Sequence, residues 1–417
     1  MAKKMTILLR AKLIVLKIQS FFYLLLNTIT AKDEKQIVFI PQETCLKDGY
    51  DIINWTGDNG LCLAHYMIES GLYNEFRLII AVDFVERIEK YEEYCRSLNP
   101  QMNITFVRRE GLREFIMRAK FIFVSTSVSV IPYKVSTQYL INLNYFTPFR
   151  NDYQYNDEFR KFIYESRRNF DYVITTAHLS SRIQALDLGL PLSSFLELGF
   201  PRNDIFYRTN KNEFIKYLNE NHVENVSKVI MYTPTYRDYE TDAARKRDLF
   251  GYPDFDYKKL DEILSFNHAV LIVKMHTLQV NNMDVSSIKR KCQRIIFYSE
   301  ITQPFSLYQC LAETDCLITD YTSVYFDFLH RDRPVIFNYY DLSEYTEKRG
   351  LTYKPAEVIS AGAIAKTSEQ LTQAIENTLN GEDPFITERK ILRGLFDCHY
   401  DGNSSKRICD YFFSTTE

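Results

Sequence analysis

The chain has 417 residues, is 46% hydrophobic and 25% charged, and carries a formal net charge of −3. This composition excludes a disordered chain and is long enough for two domains with full cores. Without a basic excess there is no reason to expect a nucleic-acid partner. The cysteines (45, 62, 95, 292, 310, 316, 398 and 409) form no CxxC pair, which fits reduced, packed thiols rather than a disulfide framework or a zinc site.

Residues 1–33 stand apart. Lys3, Lys4, Arg10, Lys12, Lys17 and Lys32 occur there with no acid before Asp33, between apolar runs at 7–9, 13–16 and 21–26. Lys3, Arg10 and Lys17 are seven apart and share one helical face. The expectation is an amphipathic helix lying in a membrane interface. A signal peptide fits less well, because Lys12 and Lys17 interrupt the apolar run and no small-residue cleavage site follows. The uncharged stretch 18–31 is short for a span. A helix packed on the protein body is the remaining alternative.

From residue 34 the pattern alternates. Strands are expected at 37–40, 78–82, 104–107, 121–125, 139–143 and 172–176, with helices at 61–72, 86–98, 112–119 and 159–170. Residues 208–228 ("RTNKNEFIKYLNENHVENVSK") are polar and Asn-rich and read as a connection. The alternation then restarts, with strands at 229–233, 270–275, 295–298, 316–319 and 335–337 and helices near 258–266, 307–313, 324–329 and 368–379. Short, continuously apolar strands between helices indicate parallel sheets covered on both faces. The expected architecture is α/β, with two Rossmann-like domains, 34–207 and 229–417, facing a cleft. Ligands of such sheets lie at the carboxyl ends of the strands.

Three expected strand ends in the second domain are polar. "MYTPTYRD" places Thr233, Thr235, Tyr236, Arg237 and Asp238 after one strand, and "LIVKMHT" places Lys274, His276 and Thr277 after the next. "LITDYTS" ends a third with Thr319, Asp320, Thr322 and Ser323. Each residue alone could be a cap, a turn residue or a surface pair. Together they suit a diphosphate held without a P-loop, by Arg237, His276 and hydroxyl and amide donors at 319–323, since neither GxGxxG nor GxxxxGK[ST] occurs. Asp254 and Asp256 have DxD spacing but lie in a Pro- and Tyr-rich loop, and no metal is assigned to them.

"GFPRND" (199–204), "YTPTYRD" (232–238), "KMHT" (274–277), "LITDYTSVYFDF" (317–328), "RPVIFNYYDLSEY" (333–345) and "DGNSSKR" (401–407) resemble, in order and spacing, blocks of the CDP-glycerol glycerophosphotransferase family, the teichoic acid primases and polymerases. The resemblance implies a GT-B-like fold and transfer of glycerol or ribitol phosphate from CDP-glycerol or CDP-ribitol to a hydroxyl of a lipid-linked glycan or teichoic acid acceptor. CMP leaves, no cofactor is needed, and the work is done peripherally on the cytoplasmic membrane face. It further implies that Thr235, Arg237, His276, Thr319, Asp320, Thr322 and Ser323 surround the donor, with Arg202 and Asn203 also binding substrate.

One block departs from the family pattern. The family's Trp-His-Gly-Thr-Pro block, whose His is a base candidate, corresponds here to "INLNYFTPFR" (141–150), with Tyr145 at the His position and Phe146 at the Gly. A tyrosine of ordinary pKa ~10 is a poor base at neutral pH. Either Tyr145 is activated, or another group such as Asp152 takes the proton, or the chemistry has changed or been lost. Alternatives to phosphotransfer are a GT-B glycosyltransferase using a nucleotide sugar and a catalytically inactive relative in a wall-synthesis complex.

Overall fold

The computed structural model describes residues 2–41, 57–82, 88–125, 131, 133–143, 169–208, 212–237, 248–275, 283–301 and 305–414. Its contacts divide them into two units. The first holds the described residues up to Asp204 together with 403–414, and the second those from Ile205 to Gly402.

The first unit is built on a parallel sheet of seven strands: β1 (Asp33–Ile40), β2 (Arg77–Val82), β3 (Asn103–Arg108), β4 (Ala119–Val124), β5 (Tyr139–Asn142), β6 (Tyr172–Thr175) and β7 (Phe195–Glu197), in the order β3-β2-β1-β4-β5-β6-β7. Successive residues of β1 serve opposite faces, as the two-residue strand period requires. Ile37 and Phe39 join one apolar cluster, while Val38 and Ile40 join another. Both faces are therefore buried, which explains the unbroken apolar run.

The first cluster is completed by the far end of the chain. The helix Ser404–Phe413 places Ile408 and Cys409 at 0% exposure in that core, and Phe412 and Phe413 pack against Phe121 and Phe123. The expected second domain of 229–417 is thus corrected. The last helix carries an apolar face that packs against the first sheet and against Tyr73 and Phe76, so the chain returns to the first unit.

The second unit holds six parallel strands: β8 (Lys228–Thr233), β9 (Ala269–Val273), β10 (Ile295–Phe297), β11 (Cys316–Thr319), β12 (Val335–Asn338) and β13 (Ala363–Ala365), ordered β10-β9-β8-β11-β12-β13. In both sheets the first strand is central, and the order reverses beside it. That reversal opens a crevice at the strands' carboxyl ends. In the second unit it falls between β8 and β11, where Thr233 pairs with Thr319.

The stretch 208–228 is more than a polar connection: it contains the helix Glu213–Asn221. Phe214, Tyr217 and Leu218 are buried at i, i+3 and i+4, a stripe that the surrounding Asn and Lys residues mask in composition. Expected helix 159–170 lies almost wholly outside the described residues. The helices His178–Leu188 and Ile386–Phe396 and strand β13 were not anticipated.

Candidate active site

The crevice between β8 and β11 is lined by the two loops singled out above. Immediately past β8, the backbone N–H of Thr235 donates to Asp320 Oδ1 at 2.9 Å, and its hydroxyl donates to the same oxygen at 2.6 Å. The Tyr321 N–H donates to it as well, at 2.6 Å. Asp320 therefore staples the loop after β8 to the loop after β11. Thr319 is fully buried, and its hydroxyl donates to the Thr233 carbonyl at 3.1 Å.

Arg237 occupies the centre of this arrangement, 1% exposed. Its Nη1 lies 2.9 Å from Asp320 Oδ2 and donates to the Thr235 carbonyl at 2.6 Å. Its Nε and Nη2 reach Asp341 Oδ2 and Oδ1 at 2.7 and 3.0 Å, a fork-on-fork pair. The rings of Tyr321 and Tyr345 lie under the guanidinium, with centroids 5.2 and 5.0 Å from Cζ. Burial works against the charge, but Asp320 and Asp341 outweigh it, and the guanidinium pKa stands well above its ordinary value.

Sequence reasoning set Arg237 and Asp320 against the donor. The structure brings them together, but inside and against each other. One cation between two carboxylates is a clamp that fixes three strand-end loops, those after β8, β11 and β12. Asp341, three residues past β12, escaped notice although strand-end logic applied to it equally.

The half-buried groups on the same rim are Thr235, Tyr236, Thr322 and Ser323. Ser323 takes the N-cap position of the helix Val324–Phe328 yet makes no side-chain cap hydrogen bond. Capping therefore does not explain why a serine stands there. Just past the neighbouring strand, β9, Lys274 is half-buried, its N–H donates to the Tyr232 carbonyl at 2.9 Å, and its ammonium lies 5.6 Å from the Tyr298 ring centroid. His276 and Thr277 follow it and lie outside the described residues, as do Asp238, Tyr145 and Asp152. Asp256, half of the DxD pair, accepts from the N–H groups of Lys258 and Lys259 and serves as a helix cap.

Arg202 and Asn203 belong to the first unit and are 6% and 2% exposed. The Arg202 N–H donates to Asn59 Oδ1 at 3.2 Å, and Asn59 Nδ2 donates to the Leu143 carbonyl just past β5 at 2.7 Å. The block thus sits at the carboxyl end of the first sheet. Its last residue, Asp204, accepts from the N–H groups of Ser404 and Ser405 at 2.8 Å each and caps the final helix. Gly199 has φ +83°, and a Cβ there would meet Ser404 Oγ at 2.5 Å. "GFPRND" and "DGNSSKR", some 200 residues apart, are one packed feature.

Comparison with known proteins bears on these motifs together. Over 331 residues the chain is 27% identical to the teichoic acid glycerol-phosphate transferase of Staphylococcus aureus, covering 75% of this chain and 81% of that protein. It is 28% identical to the teichoic acid glycerol-phosphate primase of Bacillus subtilis over 58% of this chain and 57% of the primase. The chain thus matches between about half and four fifths of the length of these relatives. Its fold is similar to that of the wall teichoic acid polymerase TagF, with TM-score 0.71 and 23% identity over 96% of this chain and 95% of the other. It is also similar to a UDP-N-acetylglucosamine 2-epimerase, with TM-score 0.54 and 12% identity over 93% and 98%. The two-sheet architecture is accordingly of the GT-B type. The model of the CDP-glycerol:poly(glycerophosphate) glycerophosphotransferases matches residues 54–414, nearly the whole chain and every motif discussed above, and the protein belongs to that enzyme family.

Proposed function

We propose that this chain transfers a polyol phosphate, glycerol or ribitol, from its CDP ester to a hydroxyl of a lipid-anchored teichoic acid or capsule-type acceptor. The observation that carries the reading is family membership over residues 54–414. In the reaction the acceptor oxygen attacks the β-phosphorus, the bond from that phosphorus to the bridging oxygen breaks, and CMP leaves with the electron pair. Such transfer is catalysed chiefly by positioning and charge stabilisation.

In this reading the Arg237 clamp holds the crevice loops in place, Thr235 binds the substrate through its loop while its hydroxyl proton goes to Asp320, and the hydroxyls of Thr322 and Ser323 meet the diphosphate. Lys274 and His276, from the end of β9, supply positive charge to it. Arg202 and Asn203 serve the acceptor side. Tyr145 and Asp152 are the notable proton-accepting candidates in the segment that follows β5.

Attachment to a membrane surface is part of the proposal. No described helix is long and apolar enough to cross a membrane. The helix Ala2–Ile29 nevertheless leaves Ile14, Ile18, Phe21, Phe22, Leu25 and Ile29 between 54% and 82% exposed. Its end is anchored: Asn27, 0% exposed, donates to the Tyr133 carbonyl and to Gln138 at 2.7 Å each. An uncovered apolar stripe beside Lys17 suits the interface of an anionic bilayer.

Incubation with CDP-glycerol, CDP-ribitol and a panel of nucleotide sugars tests the reaction class. CMP release from a CDP-polyol, dependent on an acceptor, is expected. Turnover of nucleotide sugars alone would replace the reading with glycosyl transfer, and CDP-polyol binding without turnover on any acceptor would make the chain an inactive relative.

A further inference from the structure

Attack by an acceptor hydroxyl releases a proton, and the first unit contains an exposed imidazole already oriented to take one. β6 ends in Thr175, and Thr176, Ala177 and His178 follow, with His178 opening the helix His178–Leu188. β7, the adjacent parallel strand, ends in Glu197, directly paired with Thr175. His178 Nδ1 lies 3.0 Å from Glu197 Oε1, with the imidazole side chain 58% exposed and the carboxylate 34%.

An ionised carboxylate can only accept, so the neutral imidazole carries its proton on Nδ1 and keeps the Nε2 lone pair for another partner. Glu197 is itself held: Ser181 Oγ lies 3.2 Å from the same Oε1, and Thr175 Oγ1 lies 2.7 Å from Ser181 Oγ. Glu197 thus accepts from both Ser181 and His178, with Thr175 behind Ser181, which is the arrangement of a base fixed by an orienting acid. The location agrees. The Gly199 N–H donates to the Thr175 carbonyl at 2.9 Å, so the end of β6 adjoins the block that carries Arg202 and Asn203. β5, from which the Tyr145 segment departs, is the other neighbour of β6.

We infer that His178 is the general base of the transfer and that Glu197 is its positioning residue. The inference rests on the phosphotransfer reading above. The acceptor O–H proton passes to His178 Nε2 as the oxygen bonds to the β-phosphorus, CMP departs with the bridging oxygen, and the imidazolium then returns its proton to water. A phenol of ordinary pKa at Tyr145 competes poorly for that proton at neutral pH. Were the pair only a surface contact, its loss would cost little.

The test uses the full chain with CDP-glycerol and CDP-ribitol, a lipid-tailed oligo(glycerol phosphate) primer as acceptor probe, and CMP release as readout. His178→Ala should lower kcat by about 10²–10⁴-fold with donor affinity by calorimetry and Tm unchanged, and added imidazole should restore part of the rate. His178→Gln should be equally slow, and Glu197→Gln should lose less kcat than His178→Ala at unchanged donor KM. Normal kcat in His178→Ala, or a loss that imidazole does not relieve, would each overturn the assignment. Absence of CMP release by the unaltered protein from either CDP-polyol would instead overturn the phosphotransfer reading, and this inference with it.

Discussion

Replacing Arg237 by Ala separates a buried clamp from a ligand contact. The guanidinium pairs with both Asp320 and Asp341, and all three side chains are 1–2% exposed. Removing it takes this cation from two buried carboxylates and frees the Thr235 carbonyl, which now accepts from it at 2.6 Å. Breaking a buried pair from one side costs about 3–5 kcal/mol, because the charge left behind remains desolvated. The unit from Ile205 to Gly402 is of a size for which 1 kcal/mol shifts Tm by about 2–4 °C, so the expected loss is ~6–20 °C. Thermal unfolding followed by circular dichroism measures it. Asp341→Ala should cost less in the Arg237→Ala background than in the unaltered protein, because it removes a stranded charge. An Arg237→Ala variant that keeps its Tm within about 2 °C while losing CDP-polyol affinity would refute the clamp and restore Arg237 to the ligand.

Three further outcomes are expected. Ser323→Ala should weaken CDP-polyol binding without lowering Tm, because Ser323 caps nothing; calorimetry beside thermal unfolding decides between ligand contact and structural role. Asp204→Ala strips the cap from the final helix and should destabilise the first unit by ~1–2 kcal/mol in urea titration. An unchanged midpoint would show that the two amide contacts at 2.8 Å carry no weight. Phe21→Asp with Phe22→Asp should abolish co-sedimentation with anionic vesicles while Tm stays put, since both side chains are more than half exposed; retained vesicle binding would remove that stripe from the attachment.

Much of the architecture was legible because buried parallel strands leave an unbroken apolar run. The apolar runs at 37–40 and 270–273 show it plainly, and they lie within β1 and β9. Where an apolar stripe is interleaved with polar residues, as in Glu213–Asn221, composition concealed the helix. The carboxyl ends of β8 and β11 stand out in the sequence because polar residues there interrupt apolar strands. What a local reading does not supply is the partner. Arg237 meets Asp341 from 104 residues away, so a charge that looked ligand-directed proves to be internally paired. Asp204 and Ser404 meet across 200 residues in the same way, and neither motif alone announces that it is half of a helix cap. His178 was passed over because its significance depends on Glu197, which reaches it only through the pairing of β6 with β7.

The central claim, that a polyol phosphate is moved intact, is tested most directly by the product. The unaltered protein is incubated with CDP-glycerol or CDP-ribitol and a lipid-tailed oligo(glycerol phosphate) primer, and the purified primer is examined by phosphorus NMR and mass spectrometry. The account predicts one new phosphodiester and one added polyol-phosphate unit for each CMP released. A primer extended through a glycosidic bond, or CMP released with the primer unchanged, would contradict it.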